Sequence, residues 1–276
     1  MIKIHGEKVE VNFFPDNTQR INFHPNFELL NAITIRWQYE SDIECMTLYY
    51  IVNHLREHKK DIILFLILDY FPNGRMDRVK LSEEVFTLKW FAKFINDLNF
   101  ASVQILDPHS NVTPALINNV RIVSAADKLI NTLKWNRFDQ EFPGAWNDVY
   151  LYFPDKGACT KYIDQFSEYK YLFGEKIRDW KTGVIQSLEI QNPFNLHPDY
   201  RGIFFMIDDI CSHGGSLYYS AKALKEKFPK ATILSYTSHT ENEFPTLQKA
   251  FDEGLIDQHY TTNSIYNQTN PKIRVI

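Results

Sequence analysis

RGIFFMIDDICSHGGSLYYSAKALK, residues 201–225, decides the fold. Its apolar run, residues 203–207, reads as a strand buried on both faces of a parallel sheet. Asp208 and Asp209 close that run. Ser212, His213, Gly214, Gly215 and Ser216 follow, and then an amphipathic segment over 218–228 reads as a helix. The pattern is strand, acidic tip, glycine loop, helix. In α/β sheets the carboxyl ends of strands are where ligands sit. Two glycines let backbone N–H groups approach an anion, and the next helix adds its positive end. Carboxylates beside an anion cradle suit a sugar phosphate. The acids take hydroxyls or a metal, and the loop takes the phosphate. The plainer reading is a βα turn with surface acids; the acidic pair together with the glycine pair favours the ligand.

Working outward, the same rhythm recurs on both sides. Strands are expected at 32–37, 61–68 and 102–106, with helices at 42–57, 82–98 (Ser82 as N-cap) and 127–133. Residues 1–14 read as an opening strand or hairpin, closed by a turn at 14–18. Residues 139–147, rich in breakers and polar side chains, read as a linker. Beyond them come strands at 149–153, 169–173, 185–190, 231–236, 256–260 and 273–275, with helices over 161–168 and within 239–251. Alternating strands and helices predict an α/β fold of two similar doubly wound domains with mostly parallel sheets, 1–138 and 139–276.

Composition narrows the class. The net charge of −4 argues against a broad nucleic-acid face or membrane patch, so phosphate binding must be local. Three cysteines without CxxC spacing, Cys45, Cys159 and Cys211, suit a reducing compartment and argue against a zinc site. With no apolar leader and no long apolar run, the expected location is the cytoplasm.

Four further segments carry chemistry. In 71–78 (FPNGRMDR), Arg75 and Arg78 flank Asp77. They form either a guanidinium clamp for a nucleoside triphosphate or a solvated loop with an internal ion pair. In 107–110 (DPHS), His109 at a strand end is either structural or a ligand for metal or phosphate. In 153–158 (FPDKGA), Asp155 is either part of a Mg²⁺ site or the N-cap of the next helix. In 175–178 (EKIR), Lys176 and Arg178 are either cations for phosphoryl transfer or a basic surface turn.

In this order, these segments resemble those of the ribose-phosphate pyrophosphokinase (PRPP synthetase) family. IDDICSHGGSL at 207–217 is similar to its V-D-D-x-x-x-T-G-G-T segment. FPNGRMDR is similar to Y-x-R-Q-D-R/K, and DPHS to D-x-H-x. FPDKGA is similar to S-P-D-x-G-G, EKIR to D-K-R-R, and FPDNT at 14–18 to F-x-D-G-E. The resemblance implies two type I phosphoribosyltransferase-like domains, Mg²⁺, and a homo-oligomer. It also implies transfer of a diphosphate from ATP to the anomeric hydroxyl of a 5′-phosphorylated ribose, releasing AMP.

Carried over by position, Phe14, Asp16, Arg75, Asp77, Arg78 and His109 would hold ATP. His109 and Asp155 would serve the metal. Asp208 and Asp209 would hold the ribose hydroxyls, and Ser212 to Ser216 the 5′-phosphate end. Lys176, Arg178 and His109 would carry catalysis. The chain departs from the pattern at Met76 and Thr18, and where D-T-G-G-T becomes Ser212-His213-Gly214-Gly215-Ser216. That exchange of an acid for an imidazole points to an altered 5′ end. A diverged branch of the family, linked to viral rebuilding of NAD⁺, uses ADP-ribose as acceptor. ADP-ribose is therefore expected first and ribose 5-phosphate second. A phosphoribosyltransferase that consumes PRPP, and a non-catalytic regulatory relative, are the alternatives.

Overall fold

A computed structural model describes residues 1–23, 29–124, 129, 149–178 and 185–276, with backbone only at 176–178 and 185–187. The chain divides into two compact units, Met1–Val123 and Ser124–Ile276. The boundary expected at 138/139, the linker at 139–147 and, apart from Leu129, the helix at 127–133 lie outside the described residues.

The first unit is built on a six-stranded sheet. β1 (Ile2–Ile4) and β2 (Glu7–Lys8) form a hairpin, and β3 (Glu10–Phe13) and β4 (Gln19–Asn22) form a second, separate one. Then come β5 (Ala32–Trp37), α1 (Ile43–His58), β6 (Ile63–Leu68), α2 (Thr87–Asp97), β7 (Ser102–Leu106), α3 (Val112–Leu116) and β8 (Val120–Val123). The sheet order is β2-β1-β5-β6-β7-β8, with β5 to β8 parallel and β1 antiparallel to β5. Along α1, Leu48, Ile51, Val52 and Leu55 are buried, at the three- and four-residue spacing of one helix face. They pack with Ile33, Ile35 and Leu66 of the sheet and with Leu88 and Ile95 of α2 in one core.

The helix expected from Ser82 starts five residues later, at Thr87. The reason is local. The Glu84 carboxylate accepts the backbone N–H of Lys80 at 2.8 Å and closes a turn there, while the Ser82 hydroxyl donates to Glu83. Such side chain to backbone bonds compete with the helix.

The second unit carries a seven-stranded sheet. Its elements are β9 (Val149–Phe153), α4 (Lys156–Tyr162), a 3₁₀ turn (Ile163–Phe166), β10 (Tyr171–Arg178), β11 (Ile185–Gln191) and β12 (Ile203–Cys211). They continue with α5 (Gly215–Lys227), β13 (Thr232–Thr240), α6 (Pro245–Asp252), β14 (Gln258–Thr261) and β15 (Ile273–Val275). The order is β11-β10-β9-β12-β13-β14-β15, parallel except for β11.

The apolar run of β12 sorts by the two-residue period of a strand. Phe204 and Met206 join Tyr150 and Tyr152 of β9 on one face, under α5 and α6. Ile203, Phe205 and Ile207 join Leu151 and Phe153 on the other face, with Tyr162 of α4. Burial on both faces is why the run shows no polar alternation.

Two strands outrun their expected ends. β12 continues through Asp208 and Asp209 to Cys211, so the acids stand within the strand and not on a loop tip. β13 continues to Thr240, where 231–236 was expected and 239–251 was read as including a helix. Its polar end is buried because hydroxyls and an imidazole satisfy one another. Ser235 Oγ lies 2.8 Å from His259 Nδ1, and Thr240 Oγ1 lies 2.9 Å from His259 Nε2 and donates to Thr261 Oγ1 at 2.8 Å. A hydroxyl has one proton. Thr240 spends its own on Thr261, so His259 donates from Nε2 and accepts at Nδ1.

Burial lowers the His259 pKa to about 3. Unfolded histidine binds its proton near 6.5. Between these values the unfolded chain holds one more proton, so stability falls as pH drops through that window. The slope from this group approaches about 1.4 kcal/mol per pH unit. In urea melts between pH 4 and 7, His259→Gln is expected to lose close to one proton's worth of that slope. An unchanged slope would contradict the buried neutral imidazole.

The three cysteines are free thiols. Among the described residues no helix is long and apolar enough to cross a membrane.

Candidate active site

In the first unit, β6 and β7 are parallel neighbours, so the loops leaving them share the carboxyl edge of the sheet. The structure brings FPNGRMDR and DPHS together there. A Cβ added to Gly74 would lie 3.4 Å from the His109 Cβ. His109, Arg75 and Arg78 are exposed. Asp77 Oδ1 lies 3.4 Å from Arg78 Nε, a long ion-pair contact between a half-buried acid and an exposed base. The internal ion pair weighed from the sequence therefore exists, but an exposed pair of this kind is weak enough for a ligand phosphate to compete for the guanidinium.

Beneath these loops Asp69 is buried and held by a two-pronged guanidinium contact. Arg36 Nε reaches Asp69 Oδ2 at 2.6 Å, and its terminal nitrogen reaches Oδ1 at 2.7 Å. Asp69 raises the Arg36 pKa through that bond. The strand reading had no means of linking residues 33 positions apart. Phe14 and Asp16 stand at the exposed tip of the separate β3–β4 hairpin. Asp16 accepts from the Thr18 N–H at 3.0 Å and from its hydroxyl at 2.7 Å. Those bonds lower its pKa. Thr18, which stands where the resembling pattern has glutamate, thus braces the turn.

In the second unit, β9, β12 and β13 are parallel neighbours, and their carboxyl ends carry the sugar-side candidates. Asp155 caps α4, accepting the Ala158 N–H at 3.1 Å. Asp208 Oδ1 accepts the Asp209 N–H at 2.9 Å, and Asp209 Oδ1 accepts the Ile210 N–H at 2.8 Å. The surface of Asp208 is half-open, yet the protein mass around it raises its pKa well above the usual carboxylate range. The charges of Asp209 and Asp155 push the same way, and the Asp209 N–H opposes them in part. Asp155, Asp208 and Asp209 therefore feel one another's field. Lys161 of α4 offsets it, with Nζ 3.1 Å from Asp209 Oδ2 and only 20% of its side chain exposed. Lys161 escaped the sequence reading as a site residue, although it lies only six residues beyond Asp155.

Gly214 has φ +89°, and an added Cβ would lie 2.5 Å from the Leu247 Cβ and 2.6 Å from the Leu247 nitrogen. Gly215 faces open space. The two glycines thus differ: the first is needed for backbone packing, the second leaves room above the helix end. Gly214→Ala is expected to cost about 2–4 kcal/mol, from the left-handed backbone and the clash. A urea melt checks this, and Gly215→Ala should stay within about 0.5–1 kcal/mol of wild type. Ser212 Oγ donates to Glu241 Oε2 at 2.5 Å, and the His213 carbonyl accepts the N–H groups of Thr246 and Leu247 at 2.9 and 3.0 Å. His213 is exposed.

Lys176 and Arg178 were expected just past a strand, where it exits into a loop. Their backbone is instead strand, in β10, with Lys176 opposite Leu188 and Arg178 opposite Ile185 of β11. β10 pairs with β9 only as far as Phe173, so residues 174–178 run beyond the edge as one arm of an antiparallel hairpin. Gly174 lets that arm pass, since an added Cβ would lie 2.5 Å from the Tyr152 hydroxyl and 2.8 Å from the Pro154 carbonyl. Glu175 meets Lys156 at 3.4 Å, which ties the arm to the Asp155 loop.

Among the described residues no three His, Cys, Asp or Glu side chains form a ready-made metal cage. Mg²⁺ does not need one. It binds through one or two carboxylates and fills its shell with water and substrate phosphates. Asp155, whose charge acts on Asp208 beside it, fits that donor set.

No protein-family model matches the chain. It is 27% identical over 203 residues to the ribose-phosphate pyrophosphokinase of Mycoplasma pneumoniae, covering 72% of this chain and 58% of that protein. It is 26% identical over 180 residues to the chloroplastic ribose-phosphate pyrophosphokinase 3 of Oryza sativa subsp. japonica, covering 63% of this chain and 41% of that one. For the enzyme of Thermococcus kodakarensis the figures are 24% over 252 residues, 89% and 83%. The chain thus spans less than two thirds of the first two relatives and most of the third. Its fold matches the crystal structure of phosphoribosylpyrophosphate synthetase from Mycobacterium smegmatis with a TM-score of 0.77 at 15% identity, over 98% of this chain and 85% of that one. The two mostly parallel α/β sheets accordingly have the type I phosphoribosyltransferase-like fold, and in sequence the chain is similar, at 24–27% identity, to ribose-phosphate pyrophosphokinases.

Proposed function

We propose that the protein moves the β,γ-diphosphate of ATP to the anomeric hydroxyl of a 5′-phosphorylated ribose. The observation that carries this reading is the convergence of Asp155, Asp208, Asp209, Lys161 and the Gly214–Gly215 loop on one sheet edge. The sugar oxygen attacks the β-phosphorus, the bond from that phosphorus to the oxygen of the α-phosphate breaks, and AMP leaves. Asp208 and Asp209 accept from the ribose hydroxyls and orient the ring. The N–H groups at the start of α5 take the 5′-phosphate. Arg75, Asp77, Arg78 and His109 serve ATP from the first unit, with Phe14 and Asp16 on its adenine side. Lys176 and Arg178 neutralise charge on the transferring group, where fixed cations matter most. Asp155 and His109 are the residues that would serve Mg²⁺, which would supply charge neutralisation at the phosphates.

ADP-ribose is the favoured acceptor. The exposed His213 offers a donor and a stacking ring at the loop that meets the 5′ end. Ribose 5-phosphate is the second, favoured by one observation: Glu241 returns a carboxylate to the loop position where Ser212 replaced an acid. The test is incubation with ATP, Mg²⁺ and each acceptor, following AMP by chromatography. AMP formed in step with a diphosphorylated sugar is expected. No AMP above background with either acceptor refutes the reading. Release of diphosphate from PRPP and a base without ATP would make the protein a phosphoribosyltransferase.

A further inference from the structure

We infer that Glu241 is a positioning residue for the anion-binding loop: its carboxylate, from the end of β13, holds Ser212 and sets the backbone donors that follow. The inference rests on the sugar-phosphate reading of this loop and adds to it a residue outside every recognised motif.

The loop from Ser212 to Gly215 is fastened to Glu241, just past the end of β13, and to the first turn of α6. The Glu241 N–H donates to the Cys211 carbonyl at 2.8 Å. Ser212 Oγ donates to Glu241 Oε2 at 2.5 Å. The His213 carbonyl accepts from Thr246 and Leu247, and Gly214 packs on Leu247. Only the second of these attachments runs through a side chain of charge, and a hydroxyl to carboxylate bond of this length belongs to the strong class.

A serine hydroxyl has one proton. With that proton on Glu241, Ser212 has none to give a phosphate. Its role is therefore support, and the anion is left to the N–H groups of the loop and of the α5 N-terminus. Gly214 holds a left-handed φ and Gly215 opens on free space, so small rotations at Ser212 swing those donors. Glu241 is anchored from below, because Thr240 before it is buried in the hydroxyl network around His259. The carboxylate thus links the end of a buried strand to the loop that leads into α5.

The test moves the acid across the hydrogen bond. Four proteins are compared: wild type, Glu241→Gln, Ser212→Asp, and the double variant. Calorimetric binding of ribose 5-phosphate and of ADP-ribose is measured, together with the melting temperature. Glu241→Gln is expected to weaken the more tightly bound sugar by about tenfold or more, the scale of a charged hydrogen bond. Its melting temperature should change by no more than about 2–4 °C. Ser212→Asp places two carboxylates in contact and should bind no better than Glu241→Gln. The double variant restores one acid and one donor in exchanged places, and should return to within about threefold of wild type. Three results would overturn the inference: unchanged affinity in Glu241→Gln, a double variant no better than the weaker single, or no sugar binding by wild type. Wild type that binds sugar, shows this pattern and yet releases no AMP would overturn the diphosphotransfer reading alone.

Discussion

Lys176→Ala is expected to lower the turnover of AMP release by about 10²–10³-fold, the usual cost of removing one preorganised charge from a transition state. The KM values for ATP and the sugar should move less than about threefold, because the charge is needed most when the β-phosphorus is between partners. The argument joins sequence and backbone. EKIR places two cations two residues apart. The backbone puts both on the hairpin arm that runs beyond the sheet edge, with a register irregularity between Ile177 and Arg178. Steady-state kinetics decide it. Unchanged turnover removes Lys176 from the mechanism, and a rise in KM alone makes it a binding residue.

Asp208→Asn should have opposite effects on activity and stability. Loss of the carboxylate is expected to weaken sugar binding by about 10–100-fold, since hydrogen bonds to a charged group carry about 1.5–3 kcal/mol. The same change should raise the melting temperature at neutral pH. Burial, then Asp209, then Asp155 raise the Asp208 pKa in the folded chain. A folded carboxyl with a raised pKa binds its proton more tightly than the unfolded one. Its favourable contribution is complete below the unfolded value, near 3.9, and is lost as pH rises through the folded value. At neutral pH the raised folded value therefore costs stability, and the neutral isostere removes that cost. Each kcal/mol recovered is worth about 2–4 °C in a unit of this size. Melts of both proteins at pH 7 and at pH 3.5 check the sign, with the gain present at the first and absent at the second. A variant less stable at pH 7 would show that the Asp208 bonds to its neighbours outweigh the charge. Lys161 gives a control, since it offsets Asp209 directly and not Asp208.

Both outcomes depend on features of different visibility. The run at 203–207 identified its strand because a parallel strand buried on both faces must be apolar throughout. β5, β7, β9 and β15 appear at their expected bounds for related reasons: short runs of β-branched and aromatic residues with turn residues beside them. Strand ends were harder. The reading stopped β13 at Tyr236 because Thr237, Ser238, His239 and Thr240 look like a surface segment. They are buried because Ser264, Thr261 and His259, some twenty residues away, satisfy them. That missing end is what hid Glu241. Ser82 failed as a helix start because Glu84 had already turned the chain.

By itself the sequence determined the α/β class, the order of the loops that carry chemistry, and the acidic pair and glycines at the end of β12. Each follows from local periodicity or from residue types whose backbone and charge properties are intrinsic. Only the tertiary structure decided that Glu241 holds Ser212, that Lys161 meets Asp209, that Arg36 grips Asp69, and that Lys176 and Arg178 ride on a strand. Those facts join residues 29, 48 and 33 positions apart, or depend on which strand end a neighbour stops short of. Pairing at such range is set by how the sheets close, and no local pattern of side chains encodes it.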